Sequence, residues 1–272
     1  MFSFLSPKTV GEWPSTARGA KHDSFGFWAN ALNPLMEDVV IIFSAILVFL
    51  SLAGGLRAAE EGKEAERLRK SAEIIEEVMQ TPEKGIPKDL LHKAVCVGVI
   101  PSEKKLALGI GGSYGRGCLV CRRGGTGAWG APWMFLITGP SLGFQIGGQA
   151  TDFVLVVMNP AGAQKFVQGK TKLGADASVA GGPVGRTAEG ATGVLLQTEI
   201  LTYSRARGLF AGISLAGQVI KDDGGGNRIL YGKKITAKEI LFGNTGTPGA
   251  ARALDGALAK YSPRGGQPFR EK

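Results

Sequence analysis

Residues 174–220 constrain the fold more than any other part of this 272-residue chain. Small and apolar residues alternate along this stretch, and turn clusters at residues 181–185 and 204–208 interrupt it. A period of two is typical of antiparallel strands that pack one face on a core. The alternating positions form two series: Val194, Leu196, Thr198, Ile200 and Thr202, then Leu209, Ala211, Ile213, Leu215, Gly217 and Val219. The sequence therefore predicts two antiparallel strands joined by the second turn.

The glycine content also indicates a β-rich globular domain. Glycine accounts for 42 of 272 residues without a collagen-like period, and 44% of the residues are apolar. These glycines are therefore expected in tight turns and at close backbone contacts. Residues 106–120 alternate bulky and bare positions, and residues 153–158 are continuously apolar, as in a strand buried on both faces. We predict an α+β fold, with a strongly bent antiparallel β barrel or sandwich and helices packed at one end.

Helical patterns surround the predicted strands. Residues 60–80 place apolar side chains on one helical face, and their mixed charges favour packing on the domain over membrane binding. Residues 221–227 are predicted as a turn, and residues 228–231 as extended. The folded domain is assigned to residues 60–243 and a flexible tail to residues 244–272. Further helices are predicted at residues 88–94, 161–168, 237–242 and 250–260.

The N-terminal region contains an uncharged apolar run, residues 39–56, after a polar tail at residues 1–38. Its length lies between a signal-peptide core and a membrane-spanning helix. Ala58 offers a cleavage site, and Met36 an alternative start. We therefore expect residues 39–58 to be a signal peptide or a membrane anchor. The protein would then be exported, periplasmic or extracellular, or anchored in the inner membrane by residues 39–56.

Catalytic and metal-binding patterns are absent from the sequence. The chain has only two histidines, His22 and His92, and it lacks the motifs of hydrolases and zinc proteins. Residues 169–171, Gly-Lys-Thr, resemble the end of a phosphate-binding loop, but Gln164 occupies the position of the required glycine. We therefore predict a protein that is not an enzyme and that has no metal and no cofactor.

The sequence does not decide whether the three cysteines form a disulfide. Cys118 and Cys121 lie three residues apart on a predicted strand, so their side chains point to opposite faces. Cys96 can form a disulfide with either of them if the protein is exported. Buried free thiols are the alternative.

The positive charge lies in the folded part of the chain. The net charge is +9, while residues 1–58 carry four basic and four acidic side chains. A basic domain favours anionic partners. Arg205 and Arg207 flank one residue of the turn at 204–208, so both guanidinium groups leave an extended segment on the same side. Since guanidinium groups suit phosphate contacts, this pair is the candidate lipid-binding site, with a solvated turn as the alternative.

Several blocks of sequence resemble the SYLF domain family. They are KAVCVGVIP (93–101), GGSYGRGCLVCR (111–122), SLGFQIGGQATDFVLVVMN (141–159), GADASVAGGPVGR (174–186) and YSRARGLFAGISLAG (203–217). The blocks follow the family's order between about residues 68 and 243. Structural roles are expected for the motif residues Gly174, Asp176, Gly182, Pro183, Gly185, Tyr203, Gly208, Asn227, Tyr231 and Gly232.

This resemblance implies a binding function. Eukaryotic members of the family are associated with phosphoinositide membranes and actin, and bacterial members are mostly exported. We therefore expect a non-catalytic module that binds anionic membrane lipids, such as phospholipids or phosphoinositides. The alternatives are a protein–protein scaffold of the cell envelope, or actin binding if the source is a eukaryote. No nucleic-acid partner is expected, and the oligomeric state is left open.

Overall fold

The structure is a computed structural model that describes residues 62–80, 85–106, 110–142, 149–184, 197–206, 209–266 and 268. The chain divides into two compact units, Met1–Leu56 and Arg57–Lys272. All described residues belong to the second unit. The predicted N-terminal tail and the apolar run therefore lie outside the described residues.

The described part of the second unit contains six α-helices and nine strands. The helices are α1 (62–80), α2 (Lys88–Lys93), α3 (Pro160–Lys165), α4 (Gly224–Tyr231), α5 (Ala237–Leu241) and α6 (Arg252–Tyr261). The strands are β1 (Cys96–Leu106), β2 (Ile110–Arg122), β3 (Trp129–Leu142), β4 (Gln149–Val157), β5 (Lys170–Lys172), β6 (Val179–Gly181), β7 (Ile200–Ala206), β8 (Leu209–Gly212) and β9 (Val219–Asp222).

The strands form one sheet in the order β5-β9-β3-β2-β1-β4-β7-β6, with β8 paired to β7. Neighbouring strands are antiparallel except for β6 and β7. The sheet curls strongly into a half-barrel. The predicted α+β class is thus confirmed, but the sheet has open edges where a closed barrel would have none.

Both faces of the sheet are covered by apolar side chains. Helices α1, α2 and α6 pack on one face of the sheet, the outer face. Helices α3 and α5 contribute to the core on the opposite, inner face. The helices therefore lie on both faces rather than only at one end. In β4, Val154 and Val156 belong to the outer core, and Phe153, Leu155 and Val157 belong to the inner core. The prediction of a strand buried on both faces is confirmed.

Several local predictions also agree with the structure. Helix α1 buries the predicted apolar face, including Leu68 and Ile75. The segment after α3 ends at Gly169, which has a φ of 77°. Thr236 caps α5 through a capping box with Glu239, since each side chain accepts the other's backbone N–H.

The predicted long strand at residues 209–219 is wrong. It is divided into β8 and β9, which lie in different parts of the sheet: β8 pairs with β7, and β9 pairs with β3 and β5. Between them, Gly217 adopts a φ of 88°, and its N–H donates to the Leu173 carbonyl. This left-handed residue turns the chain away from β7. The first predicted strand began at residue 194. Its residues 200–206 form β7, residues 197–199 are not in a strand, and residues 194–196 lie outside the described residues.

The predicted turn and extended segment at residues 221–231 are also wrong. Helix α4 begins after Asp223, whose carboxylate accepts the N–H of Gly226 at 3.0 Å. An aspartate at this position satisfies a free N–H of the first helical turn. The cap and the burial of Asn227 outweigh the low helix propensity of three successive glycines.

The region beyond Gly243, expected as a flexible tail with a helix at residues 250–260, contains α6 close to that position. Leu254, Ala257 and Leu258 are buried in the outer core. Among the cysteines, Cys96 and Cys121 form a disulfide between paired positions of β1 and β2, while Cys118 is a buried free thiol on the opposite face. The opposite orientation of Cys118 and Cys121 is confirmed, and the structure contains both a disulfide and a buried thiol.

Candidate functional site

Ion pairs fix α1 across the outer face at both ends. Near its start, Glu64 pairs with Arg116 of β2 at 3.6 Å, and Arg116 also pairs with Asp223 at 2.6 Å. Near its end, Glu77 pairs with Arg205 of β7. Since Glu64 and Asp223 are almost fully buried, the first contact is largely shielded from water. Burial alone would lower the pKa of Arg116, but the hydrogen bonds and ion pairs with Asp223 and Glu64 outweigh burial and raise it.

Arg205, half of the predicted lipid site, is engaged in these contacts. Its guanidinium lies 3.7 Å from Asp152 of β4 in addition to its contact with Glu77. The side chain is only 25% exposed. The structure thus places Arg205 between two strands and α1, while Arg207, the other half of the pair, lies outside the described residues, as does Gly208.

The Gly182–Pro183 segment packs against Tyr203. The Tyr203 hydroxyl donates to the Pro183 carbonyl at 3.2 Å, and the Gly182 N–H donates to the Thr202 carbonyl at 3.0 Å. A Cβ atom on Gly182 would overlap the Tyr203 ring. Burial raises the pKa of Tyr203. These motif residues therefore have a packing role, and Gly185 lies outside the described residues.

Gly174 and Asp176 close the edge of the sheet at β5. Gly174 has a φ of 84° and begins a tight turn. The Asp176 carboxylate accepts the Lys172 N–H at 2.6 Å, and the Asp176 N–H donates to the Lys172 carbonyl at 2.8 Å. Both backbone groups of Lys172 are thereby satisfied within the chain. An edge strand whose polar groups are satisfied is a poor template for a further strand.

Asn227 joins α4 to the sheet. It is fully buried, its Oδ1 accepts the Met134 N–H at 2.8 Å, and its Nδ2 donates to the Met134 carbonyl at 2.9 Å. The side-chain amide thus pairs with β3 as a strand backbone would. Tyr231 adds a hydroxyl donation to the Pro132 carbonyl at 2.6 Å, and Gly232, with a φ of 69°, ends the helix.

Arg122 is a buried cationic side chain whose role the sequence did not predict. It is fully buried, and it donates to the carbonyls of Ala94 and Gly127 and to both oxygens of Ser262. It also lies over the Trp129 ring, 4.0 Å from the centroid. Burial lowers its pKa to about 10. The residue ties the end of α6 to β2, a role that its place at the end of a predicted strand did not reveal.

A groove of about 170 Å³ lies between α1 and an irregularity in β1. It is lined by Lys63, Glu66, Arg67, Lys70, Pro101 and Ser102. Ser102 has a φ of 55°, the one positive value among the described non-glycine residues, and its N–H donates to Asp152 at 2.8 Å. Strained backbone of this kind often marks a binding site. Of its three cationic side chains, Arg67 pairs with Glu64 and Lys70 with Glu66, which leaves Lys63 without an ion pair among the described residues and able to contact an anion.

The described residues offer little catalytic chemistry. They contain no cluster of three or more metal-ligating side chains. His92 is exposed on α2, where its carbonyl accepts the Gly266 N–H. Cys118 is fully buried, and burial raises the pKa of its thiol to about 11, which disfavours the reactive thiolate.

The half-barrel and its buried motif residues define an α+β domain of the SYLF type, and comparison with known proteins agrees. Residues 138–261, from β3 into α6, match the family model Ysc84, described as "Las17-binding protein actin regulator". An SH3 domain-containing protein of Schizosaccharomyces pombe is 38% identical over 172 residues, covering 62% of this chain and 40% of that protein.

Two further relatives have informative names. The human SH3 domain-containing YSC84-like protein 1 is 34% identical over 212 residues, or 76% of this chain and 61% of that protein. LAS seventeen-binding protein 3 of Saccharomyces cerevisiae is 34% identical over 188 residues, or 66% of this chain and 40% of that protein. This chain belongs to the SYLF domain family, as its sequence blocks indicated. It spans about 40–60% of the length of these curated relatives.

The predicted location is wrong. We expected an exported or inner-membrane-anchored protein, but the relatives are eukaryotic proteins named for SH3 domains and for Las17 binding. Within the part of the chain that the structure describes, no helix has the length and apolar character needed to cross a membrane. The apolar run at residues 39–56 misled the prediction because length and lack of charge alone do not distinguish the uses of such a segment.

Proposed function

We propose that this chain is a protein-binding module of actin regulation that binds actin filaments. The observation that carries this proposal is the family match, which extends from β3 into α6 and bears the description of an actin regulator. The matched region includes Asn227, whose β3 partner Met134 lies just before it, and both residues of the Gly182 contact with Tyr203. It therefore contains motif residues that pack on the sheet.

The chemistry of the described residues supports binding rather than catalysis. The thiol of Cys118 is buried, His92 has no acidic partner among the ion pairs of the described residues, and no metal-ligand cluster is present there. The groups presented to solvent are mainly cationic, in line with the net charge of +9. A basic surface on a rigid sheet is suited to an acidic protein partner.

Co-sedimentation of the full chain with actin filaments tests this function. We expect saturable binding that weakens as salt is raised, because contacts between exposed charges are screened. The control is the Asn227→Ala variant, which loses the contact with β3 and should lose binding together with its fold. A correctly folded wild-type chain that stays in the supernatant at all filament concentrations would remove the actin-binding proposal.

A second candidate function, binding of anionic lipid, is supported by the groove between α1 and β1. Lys63, Arg67 and Lys70 surround it, although Lys70 pairs with Glu66 at 2.9 Å and Arg67 pairs with Glu64. Lys63 has no ion pair among the described residues, whereas Arg205 already contacts two carboxylates. A role for Arg205 and Arg207 in lipid binding stays a prediction.

Sedimentation with phosphatidylserine or phosphoinositide vesicles tests the lipid candidate. Replacing Lys63 and Lys70 by Ala should weaken vesicle binding by about 10- to 30-fold, since each interfacial charge contributes about 1 kcal/mol near an anionic surface. The matched control replaces Lys233 and Lys234, two exposed lysines between α4 and α5. Replacing Arg205 and Arg207 by Ala compares the turn with the groove. Equal losses in all three variants would indicate diffuse attraction and no lipid site.

A further inference from the structure

Two rows of side chains on the outer face remain accessible at the β5 end of the sheet. The first row runs through Lys170, Lys221, Leu136 and Arg116, which lie directly opposite one another on β5, β9, β3 and β2. The second row, two residues along, contains Lys172, Val219, Thr138 and Tyr114. Directly opposite residues share a face. Together these eight residues form what we call the basic sheet face.

Side chains of the basic sheet face are more exposed than those on the opposite face of the same strands. None of its eight residues is buried, and Tyr114, at 48%, is one of two large hydrophobic side chains that are well exposed among the described residues. The residues between them in sequence, such as Ile137, Thr171 and Ile220, are almost completely buried on the inner face. Strong alternation of this kind shows a sheet with one packed face and one accessible face.

The lysines of the basic sheet face are unpaired among the described residues. Ion pairs there involve Arg116 but not Lys170, Lys172 or Lys221. The two nearest acidic residues in sequence are otherwise engaged. Asp222 accepts from the Trp133 indole N–H at 2.6 Å, and Asp176 accepts the backbone N–H of Lys172.

Lys170 and Lys221 are directly opposite each other on neighbouring strands. Such side chains have Cβ atoms about 5 Å apart, and like charges at this position destabilise a sheet. A short edge strand with a lysine can be explained by protection against aggregation. However, Asp176 already satisfies the backbone N–H of Lys172 at this edge, and Lys221 lies on β9, which is paired on both sides, with β5 and β3. The cross-strand pair therefore needs another explanation.

We propose that the basic sheet face binds an acidic protein surface, with carboxylates placed between Lys170, Lys172 and Lys221 and apolar contact on Tyr114, Leu136 and Val219. The proposal rests on the proposed function, because it assigns the surface through which an actin-regulating partner is bound. Carboxylates would relieve the repulsion between Lys170 and Lys221, so part of the binding free energy comes from a strained feature of the free protein.

A protein partner fits this face better than a bilayer does. The lysines stand in fixed rows on a rigid sheet, about 5 Å apart across strands and about 7 Å apart along β5. This spacing matches carboxylates on ordered protein segments. Of the neighbouring side chains, Leu136, Thr138 and Val219 are half-buried and only Tyr114 is well exposed, so the face offers little apolar surface for insertion into lipid.

The test uses the full chain with filamentous actin, an acidic protein filament, as the probe. The variant replaces Lys170 and Lys221 by Glu, which keeps a like-charged pair at the same positions while it reverses the charge of the face. Its melting temperature should therefore stay close to that of the wild type. We expect its affinity for filaments to fall by at least about tenfold. The matched control, with Lys233 and Lys234 replaced by Glu, has the same net charge and should change affinity by less than about twofold.

If filaments bind the wild type, equal losses in the two variants, or no loss in either, would overturn the proposal. Two further probes separate it from the proposed function. A fluorescent 12-residue peptide of alternating Glu and Ser should bind the wild type at low salt and lose binding in the Lys170/Lys221 variant. If filaments do not bind the wild type but this peptide does so through the two lysines, the actin function fails and the acidic-partner site stands. If the variant loses binding only to phosphatidylserine vesicles, the face contacts lipid and the proposal is wrong.

Discussion

Two regions of the outer face carry cationic side chains, and they differ in what these side chains contact. Below α1, Arg116 and Arg205 each contact two carboxylates. On β5 and β9, Lys170 and Lys221 are exposed and have no ion pair with described residues. A guanidinium held by two carboxylates joins structural elements, whereas an unpaired ammonium group is available to a partner. We therefore expect the arginines to contribute to stability and the lysines to binding.

The largest expected effect concerns Arg116. Arg116→Met should lower the free energy of unfolding by about 3 kcal/mol, because it leaves the buried carboxylate of Asp223 without its guanidinium and Glu64 with Arg67 alone. Chemical denaturation measures this loss. Lys221→Met, in the same row of the sheet, is the matched control and should change stability by less than about 0.5 kcal/mol. Similar losses in both variants would contradict the claim that Arg116 stabilises the fold while Lys221 does not.

The free energy of unfolding should also depend on pH because of Cys118, a buried thiol on the outer face. Burial raises the pKa of this thiol from 9.0 to about 11. Because the folded-state value lies above the unfolded one, the thiol's contribution to stability is complete below about pH 9 and is lost as the pH rises towards 11. Between these pH values the wild type should lose about 2 kcal/mol more than Cys118→Ala. Denaturation curves at several pH values measure the two slopes, and parallel slopes would contradict the assignment.

Arg205 should contribute less to stability than Arg116. Its partner Glu77 is 53% exposed, and Asp152 is 20% exposed, so water and salt screen both contacts. Arg205→Met is expected to lower the free energy of unfolding by about 1 kcal/mol. A loss as large as that of Arg116→Met would mean that the exposure of the carboxylate partners does not determine how much each arginine contributes to stability.

The sequence predicted elements whose signals are local. The apolar face of α1, the Thr236 cap and the continuously apolar β4 each depend on residues close together in the chain. The division of residues 209–219 into β8 and β9 depends instead on contacts with Leu173 and with β3, far away in sequence. Helix α4 was missed because three glycines predict a turn, while the buried contacts of Asn227 decide the outcome.

The candidate site shows the same limit. Arg205 and Arg207 stood out because they flank one residue in a turn, but the sequence did not reveal that Glu77 and Asp152 would meet Arg205. Lys170 drew attention only through an incomplete phosphate-loop motif. Its position opposite Lys221 depends on the register of two short strands, 51 residues apart. No local pattern carries that information.

The most direct test of the comparison is to measure stability and filament binding together for the single variant Lys170→Glu. This change converts a like-charged cross-strand pair into an oppositely charged one, so the melting temperature should rise by about 1–3 °C. The same change removes a positive charge from the basic sheet face, and affinity for actin filaments should fall by roughly fivefold. We therefore expect the variant to be more stable and to bind filaments more weakly. A variant that binds filaments as tightly as the wild type would contradict it.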